Sequence, residues 1–196
     1  MGEVMIRLKK NYYKMEKTNT KLKIRIANYR VDPTYSYDAF KGPYGNEDYM
    51  YIGAYPGSVR WFGKLGSSSS DTPMVEDLDT YRTIIPTGYR AASVDKFNYL
   101  FCAATLILKS FDFNRRIGTT NVNLTNGTMN TKGLFYGTLD PNKGNKFFGI
   151  ENLWSDLGTM VEGIIKKDNI FYYKTRGGYE DLNTYTIINT ENLKRR

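Results

Sequence analysis

The carboxylates and the single cysteine are the first residues of this sequence whose types could do chemistry. Glu76, Asp77 and Asp79 form a short acidic cluster, and a glycosidase needs two carboxyl groups roughly 5 to 10 Å apart around a sugar. Spacing along the chain does not place this cluster in a cleft, and residues 71–79 are more simply interpreted as a solvated loop. Cys102 lies within an apolar helical pattern, so we expect a packing residue rather than a nucleophile.

The residue types that are missing exclude several reactions. The chain has no histidine and one cysteine, so it contains no Ser-His-Asp or Cys-His system, no His-ligated zinc and no internal disulfide. It has no GxGxxG, Walker or EF-hand pattern, and no apolar run approaches the roughly 20 residues of a membrane span. We therefore expect a protein that is not an enzyme, needs no cofactor or metal, and has no membrane partner.

Hydrophobic periodicity predicts the elements that must position these residues. Apolar residues alternate with polar ones over 4–8 and 22–26, which predicts two half-buried strands. An aromatic strand is predicted over 49–55 and another strand over 169–174. Apolar residues at three- and four-residue steps predict a helix from Ser93, as N-cap, to about position 111. Low helix content and short strands indicate an α+β domain with mainly antiparallel pairing.

Two long segments rich in glycine, proline, asparagine or threonine, 31–48 and 118–146, are predicted surface loops. The serines at 67–70 predict a shorter, mobile loop. The chain has 17 tyrosines and two tryptophans, and exposed aromatic rings suit sugar stacking and protein interfaces. Most of these rings are expected in the core and its rim. Loop 31–48 holds the exceptions, which are candidate interface residues: Tyr35, Tyr37, Phe40 and Tyr44.

The net charge of +8 is concentrated at the two ends of the chain. Residues 1–30 carry nine basic and two acidic side chains, 194–196 are all basic, and 31–193 have a net charge of −2. This distribution favours docking on an acidic protein over nucleic-acid binding, which stays an alternative with a strong salt dependence. If strands 4–8 and 22–26 pair, their outward faces form a basic ribbon, unless it is simply a solvated sheet face. The basic candidate interface residues are Lys21, Lys23, Arg25, Arg195 and Arg196.

Several ordered segments give the chain a resemblance to a known family. Residues 51–58 resemble a YIGAYEGS segment, and residues 149–154 with 161–164 resemble the pattern GIENxWGNxWxWVDGI. Shorter matches lie at 11–14, 88–90, 95–97, 111–114 and 117–118. Together they resemble the C-type lectin-like domains of tailed-bacteriophage and prophage virion proteins, which are related in fold to the formylglycine-generating enzyme.

The resemblance implies an organisation and a function. Residues 31–190 would form a C-type lectin-like body, 1–30 would add basic N-terminal strands to it, and 191–196 would be a basic tail. The fold would be α+β, with short antiparallel strands, one or two helices and long surface loops. The implied function is a virion structural protein, in capsid decoration, a head fibre or a tail. It would be assembled in the cytoplasm of the bacterial host, with other virion proteins and with copies of itself.

An alternative function is an adhesin that recognises a host surface glycan or protein through loops 31–48 and 118–146. The chain also departs from the family pattern. Gly158 and Met160 replace two family tryptophans, and one cysteine cannot supply the pair that the oxidases of this fold use. Partial motifs at 140–142 and 154–156 do not amount to a calcium-dependent sugar site. The segment 176–179 only partly matches the usual last core segment, so we expect a fold that is shortened there or completed by another chain.

Overall fold

Short strands and three helices make up the described part of the computed structural model, residues 3–42, 45–59, 63–74, 78–118, 124–140, 142–154, 161–167, 170–174 and 185–188. The helices are α1 (Leu78–Ile84), α2 (Val94–Leu108) and α3 (Phe113–Ile117), with a 3-10 turn at Asp38–Phe40. The longer strands are β1 (Met5–Lys9), β2 (Tyr12–Lys17), β3 (Leu22–Ala27), β6 (Tyr49–Gly53), β11 (Ile164–Lys167), β12 (Ile170–Tyr173) and β13 (Thr186–Ile188). The two-residue strands are β4 (Lys41–Gly42), β5 (Gly45–Asn46), β7 (Ser58–Val59), β8 (Leu65–Gly66), β9 (Lys146–Phe147) and β10 (Ile150–Glu151).

The described strands pair antiparallel throughout, as β1–β6, β2–β3, β4–β5, β7–β8, β9–β10 and β11–β12–β13. This confirms the predicted α+β class with mainly antiparallel short strands. The predicted strands at 49–55 and 169–174 are present as β6 and β12.

Helix α2 confirms the helix that the apolar spacing predicts from Ser93 onward. Its inward face buries Leu100 and Cys102 completely. Ser93 is the N-cap by backbone conformation, but its side chain makes no capping hydrogen bond. The helix ends at Leu108 rather than at 111, because Lys109 takes a left-handed conformation with φ 51°, a common way for a helix to terminate.

The first predicted strand pairs differently from the expected ribbon. Strand β1 pairs with β6, where Ile6 lies opposite Ile52. Strand β3 pairs instead with β2, where Ile26 lies opposite Tyr13. The tight turn at 18–21, closed by a 2.8 Å bond from the Thr18 amide to a backbone carbonyl, makes β2 the nearest partner of β3. Strands 4–8 and 22–26 therefore do not pair, and the condition for a shared basic ribbon is not met.

The core lies where α2 packs against β2, β3, the 3-10 turn and α3. Phe147 is completely buried and its ring centroid lies 5.1 Å from that of Trp154. Trp154 also contacts Phe113 of α3, at 4.7 Å between centroids. These aromatic contacts join the segment after β10 to the helical side of the core.

Two predicted loops have more structure than expected. Ser67, expected in a mobile loop, is buried, and its Oγ donates to the Val4 carbonyl at 2.9 Å and accepts from the Tyr55 amide at 3.0 Å. The prediction of a mobile loop is therefore wrong at this residue. Asp79 belongs to helix α1, where it is exposed and pairs with Arg82 at 3.0 Å. The rest of that acidic cluster, positions 76 and 77, lies outside the described residues.

Candidate interaction surfaces

The hairpin of β2 and β3 carries the basic residues that the sequence singled out. Lys23 and Arg25 lie on one face of β3 and are exposed, and Lys21 is exposed in the turn. Half-buried residues such as Ile24 and Ile26 point the opposite way and pack against the core. Period-two alternation thus places the cations on the outer face, as the sequence predicts for this strand.

An acidic residue on the same face neutralises part of this charge. Glu16 of β2 pairs with Lys14 at 2.7 Å and also with Arg25. Hydrogen bonds from these two cations, Lys14 first, hold the pKa of the Glu16 carboxyl below its usual value. Lys21 and Lys23 have no carboxylate within ion-pair distance among the described residues. Both lysines therefore remain available to a partner.

The hairpin projects beyond the core at its turn end. Met15 of β2 shares a face with buried Tyr13 but is 43% exposed. Lys17, the last residue of β2, is exposed too. We call Met15, Lys17, Lys21 and Lys23 the hairpin tip. Met15 and Lys17 lie on the core-side face of β2, Lys23 lies on the outer face of β3, and Lys21 lies in the turn between the strands.

Loop 31–48 covers the other end of the hairpin, which corrects part of the aromatic prediction. Tyr35 is only 7% exposed and Phe40 only 1%, so their expected presentation to a partner is wrong. Backbone bonds of 2.8 Å in both directions between Tyr13 and Ser36 hold the loop against β2. Phe40 packs on Tyr99 of α2 with 5.0 Å between centroids. Both rings are core residues because the loop folds back over the sheet.

Tyr37 is the described member of the aromatic cluster that stays partly exposed. Its ring lies 5.6 Å from that of Tyr12, and Lys41 Nζ lies 4.6 Å from its centroid, with the Arg30 guanidinium at 5.7 Å. Two cations within 6 Å of the centroid of one tyrosine ring are favourable cation–π contacts. The remaining predicted interface positions, Tyr44, Arg195 and Arg196, lie outside the described residues.

The segment that resembles the GIEN pattern has a structural role. Glu151 is 1% exposed, and its carboxylate accepts bonds from the Gly127 amide at 2.8 Å, the Thr128 hydroxyl at 2.8 Å and the Met129 amide at 3.1 Å. Asn152 accepts from the Asn145 amide at 3.1 Å. These bonds fix the base of the second long loop to the core, because buried polar groups are costly unless they are paired.

A cleft that the sequence analysis missed opens between β6, α1 and the start of α2. Its volume is about 520 Å³. Four tyrosines line it together with two cations: Tyr51, Tyr55, Tyr81, Tyr89, Arg90 and Lys96. These residues come from segments far apart in the chain, so no local pattern reveals the cleft. The matches at 51–58, 88–90, 95–97 and 149–154 each contribute lining residues, but nothing in the sequence shows that they meet around one cleft.

The described titratable groups show little sign of reactive chemistry. Burial raises the pKa of the Cys102 thiol to about 11, which keeps it in its unreactive protonated form. No three metal-ligating side chains cluster together within the described ranges. Among the same residues, none of the helices has the length and apolarity needed to cross a bilayer.

The chain matches no family model, no curated protein and no solved structure.

Proposed function

We propose that this chain is a structural protein of a tailed-bacteriophage virion, built on a C-type lectin-like domain, which works by protein–protein assembly rather than catalysis. It would occupy a capsid decoration, a head fibre or a tail, together with other virion proteins and copies of itself. The sequence resemblance supports the virion setting. The hairpin tip is the structural observation that carries the assembly mechanism.

The hairpin tip is suited to docking because it is rigid and because its lysines make no ion pair with a described residue. Its turn is closed by the Thr18 amide bond at 2.8 Å and by a 3.0 Å bond from the Lys21 amide to the Thr18 hydroxyl. Its base is fixed by β3 packing on α2. A partner therefore loses little conformational freedom of this element on binding. An acidic partner surface would complement the three lysines, and Met15 adds an exposed apolar contact on one face.

Mass spectrometry of purified particles and of host cytoplasm tests the virion assignment. We expect the chain in particles at a fixed copy number relative to the major capsid protein. Detection in the cytoplasm but in no purified particle would overturn the assignment.

A charge-reversed double variant tests the hairpin tip as the docking element. We expect Lys21→Glu with Lys23→Glu to abolish incorporation into particles, because like charges now face an acidic partner. The matched control reverses two exposed lysines elsewhere that make no ion pair with a described residue, Lys64→Glu with Lys109→Glu, and should incorporate normally. Equal incorporation of the two folded double variants would show that assembly does not use the hairpin tip.

The second long loop favours one alternative function, an adhesin that binds a host surface protein or glycan. Leu134, Phe135 and Leu139 are all exposed in this loop, Leu139 by 77%, while its base is fixed by Glu151. Backbone bonds between Tyr136 and Lys146 hold these side chains against the body of the chain. A fixed surface with exposed apolar side chains suits recognition better than a purely structural role. Because apolar side chains dominate, this surface fits a protein receptor better than a sugar.

A cell-binding assay separates the two functions. An adhesin predicts that the purified chain binds host cells and that Leu134→Ser with Leu139→Ser abolishes the binding. A structural protein predicts no cell binding, and normal incorporation of the same double variant into particles.

A further inference from the structure

The tyrosine-lined cleft has the size and shape of a binding site. Its volume of about 520 Å³ lies within the range of roughly 300 to 1,000 Å³ that is typical of ligand pockets. It lies apart from the hairpin tip in that none of the tip residues line it. Any function of the cleft is therefore additional to the docking proposed above and does not depend on it.

The tyrosines divide into two fixed rings and two that present open surface. The Tyr81 hydroxyl donates to the Met74 carbonyl, and the Tyr55 hydroxyl donates to Asn130 Oδ1 at 2.6 Å. Tyr51 and Tyr89 are 49% and 45% exposed. Fixed aromatic walls with exposed tyrosines at the rim are typical of surfaces that recognise protein segments, because tyrosine gives a large contact area at a low entropy cost.

Two cations in the cleft lack a partner among the described residues. Lys96 is partly buried, and burial lowers the pKa of its ammonium group, as does the nearby positive charge of Arg90. The carboxylate of Glu47 raises this pKa but makes no ion pair with Lys96. No described side chain accepts a hydrogen bond from the Lys96 ammonium or from Arg90. Lys96 also lies in the first turn of α2, where the helix dipole disfavours a cation. Local stability therefore does not explain a lysine at this position.

The carboxylates that line the cleft are already engaged elsewhere. Glu3 accepts a hydrogen bond from the Ser67 amide. Glu151 accepts bonds from the Gly127 and Met129 amides and from a hydroxyl. The acidic groups therefore serve backbone donors, whereas the cations face open space. This imbalance favours a ligand that brings a negative charge with it.

We propose that the cleft binds a peptide segment of a partner protein that carries an aromatic or aliphatic side chain next to a carboxylate. The apolar side chain lies among the tyrosine rings, and the carboxylate accepts hydrogen bonds from Lys96 and Arg90. A charge-assisted bond to a partly desolvated lysine is stronger than one to a fully solvated lysine. Charge and apolar contact therefore both contribute to recognition.

Capped dipeptides separate the two contributions. N-acetyl-Phe-Asp-amide carries both groups, N-acetyl-Phe-Asn-amide lacks the charge, and N-acetyl-Ala-Asp-amide lacks the ring. Each is titrated into the full-length ¹⁵N-labelled chain while amide chemical shifts are followed. We expect N-acetyl-Phe-Asp-amide to bind at about millimolar concentration, with shifts at residues that line the cleft. The other two should bind at least ten-fold more weakly.

Two cleft variants and one matched control test the residues involved. Lys96→Gln and Arg90→Gln should each weaken binding of N-acetyl-Phe-Asp-amide about ten-fold. Lys109→Gln removes the same charge at the other end of α2 and should bind as the unaltered chain does. Arg90 is exposed, so its variant keeps the test decisive if Lys96→Gln fails to fold.

Three results would overturn the proposal. The first is equal affinity for the aspartate and asparagine dipeptides, which would remove the role of charge. The second is shifts that fall away from the cleft, or unchanged affinity in both cleft variants. The third is binding of glucuronate with no binding of any dipeptide, which would make the occupant an acidic sugar rather than a peptide segment.

Discussion

The substitution Glu151→Gln tests whether one buried carboxylate holds the second long loop. The side chain is 1% exposed. One carboxylate oxygen accepts from the Gly127 amide, and the other accepts from the Met129 amide and the Thr128 hydroxyl. Glutamine has a single oxygen, so it can satisfy only one of these two sets. Its amino group must then face a donor at about hydrogen-bond distance.

The expected loss of stability follows from these bonds. In the better orientation, glutamine keeps the bonds to Thr128 and Met129 and leaves the Gly127 amide without an acceptor. Losing one charge-assisted bond and leaving a buried donor unpaired costs about 3 kcal/mol of unfolding free energy. For a chain of this size, that corresponds to a decrease in Tm of about 6 to 12 °C.

Thermal and urea unfolding followed by circular dichroism measure this change. We expect a lower urea midpoint with an unchanged slope, because the surface exposed on unfolding is the same. Faster hydrogen exchange at the Gly127 and Met129 amides would locate the loss at the loop. The matched control is Glu16→Gln, which removes a partly exposed surface carboxylate with two ion pairs and should change Tm little.

One outcome would refute the reasoning about Glu151. If Glu151→Gln melts within about 2 °C of the unaltered chain and exchange at Gly127 stays slow, the carboxylate does not hold the loop. The loop would then be held by its other hydrogen bonds, such as those of the Asn126 backbone to Ser70 and Asp71 and that between Asn145 and Asn152.

Three further predictions concern the core and one turn. Burial raises the pKa of the Cys102 thiol to about 11, so roughly one thiol in a thousand is ionised at pH 8. Ellman's reagent should therefore react rapidly only after unfolding in guanidinium, and fast reaction with the folded chain would contradict the buried position. Leu100→Ala should lower the free energy of unfolding in urea by about 2 to 5 kcal/mol, because Leu100 is fully buried. The control Leu106→Ala, at an exposed position of the same helix, should lower it by under about 1 kcal/mol, and similar values for the two variants would be incompatible with the described packing. Gly118→Ala should destabilise the chain by more than about 2 kcal/mol, because φ is +79° and a Cβ would lie 1.5 Å from the Thr138 carbonyl oxygen; an unchanged urea midpoint would exclude that close approach.

Local patterns in the sequence were sufficient for several elements. The apolar spacing of residues 93–111 predicts α2, and the alternation at 22–26 predicts β3 and its exposed cations. These predictions hold because side-chain periodicity depends on neighbouring residues in the same element. The packing role of Cys102 follows from its place on the inward face of that helix.

Other features depend on contacts between distant residues, and the sequence does not determine them. Alternation shows that residues 4–8 form a strand, but it does not show that this strand pairs with β6. Several strands have a similar alternating pattern, so the pattern does not identify the partner of any one of them. Tyr35 lies in a segment with loop composition, yet the 2.8 Å bonds between Tyr13 and Ser36 fold that segment over the sheet and bury the ring.

The two interaction surfaces show the same division. Lys23 is exposed by the period of its strand and Lys21 by its place in the turn, so both follow from the sequence. Lys17 shares a face with buried Tyr13 and is exposed at the end of the hairpin. The tyrosine cleft combines β6, α1 and the start of α2. Only the packing of these segments brings Lys96 and Arg90 to the cleft, where neither has a partner among the described residues. The exposure of a charged residue on a strand depends on its neighbours in the same element, whereas a concave site forms only when separate segments pack together.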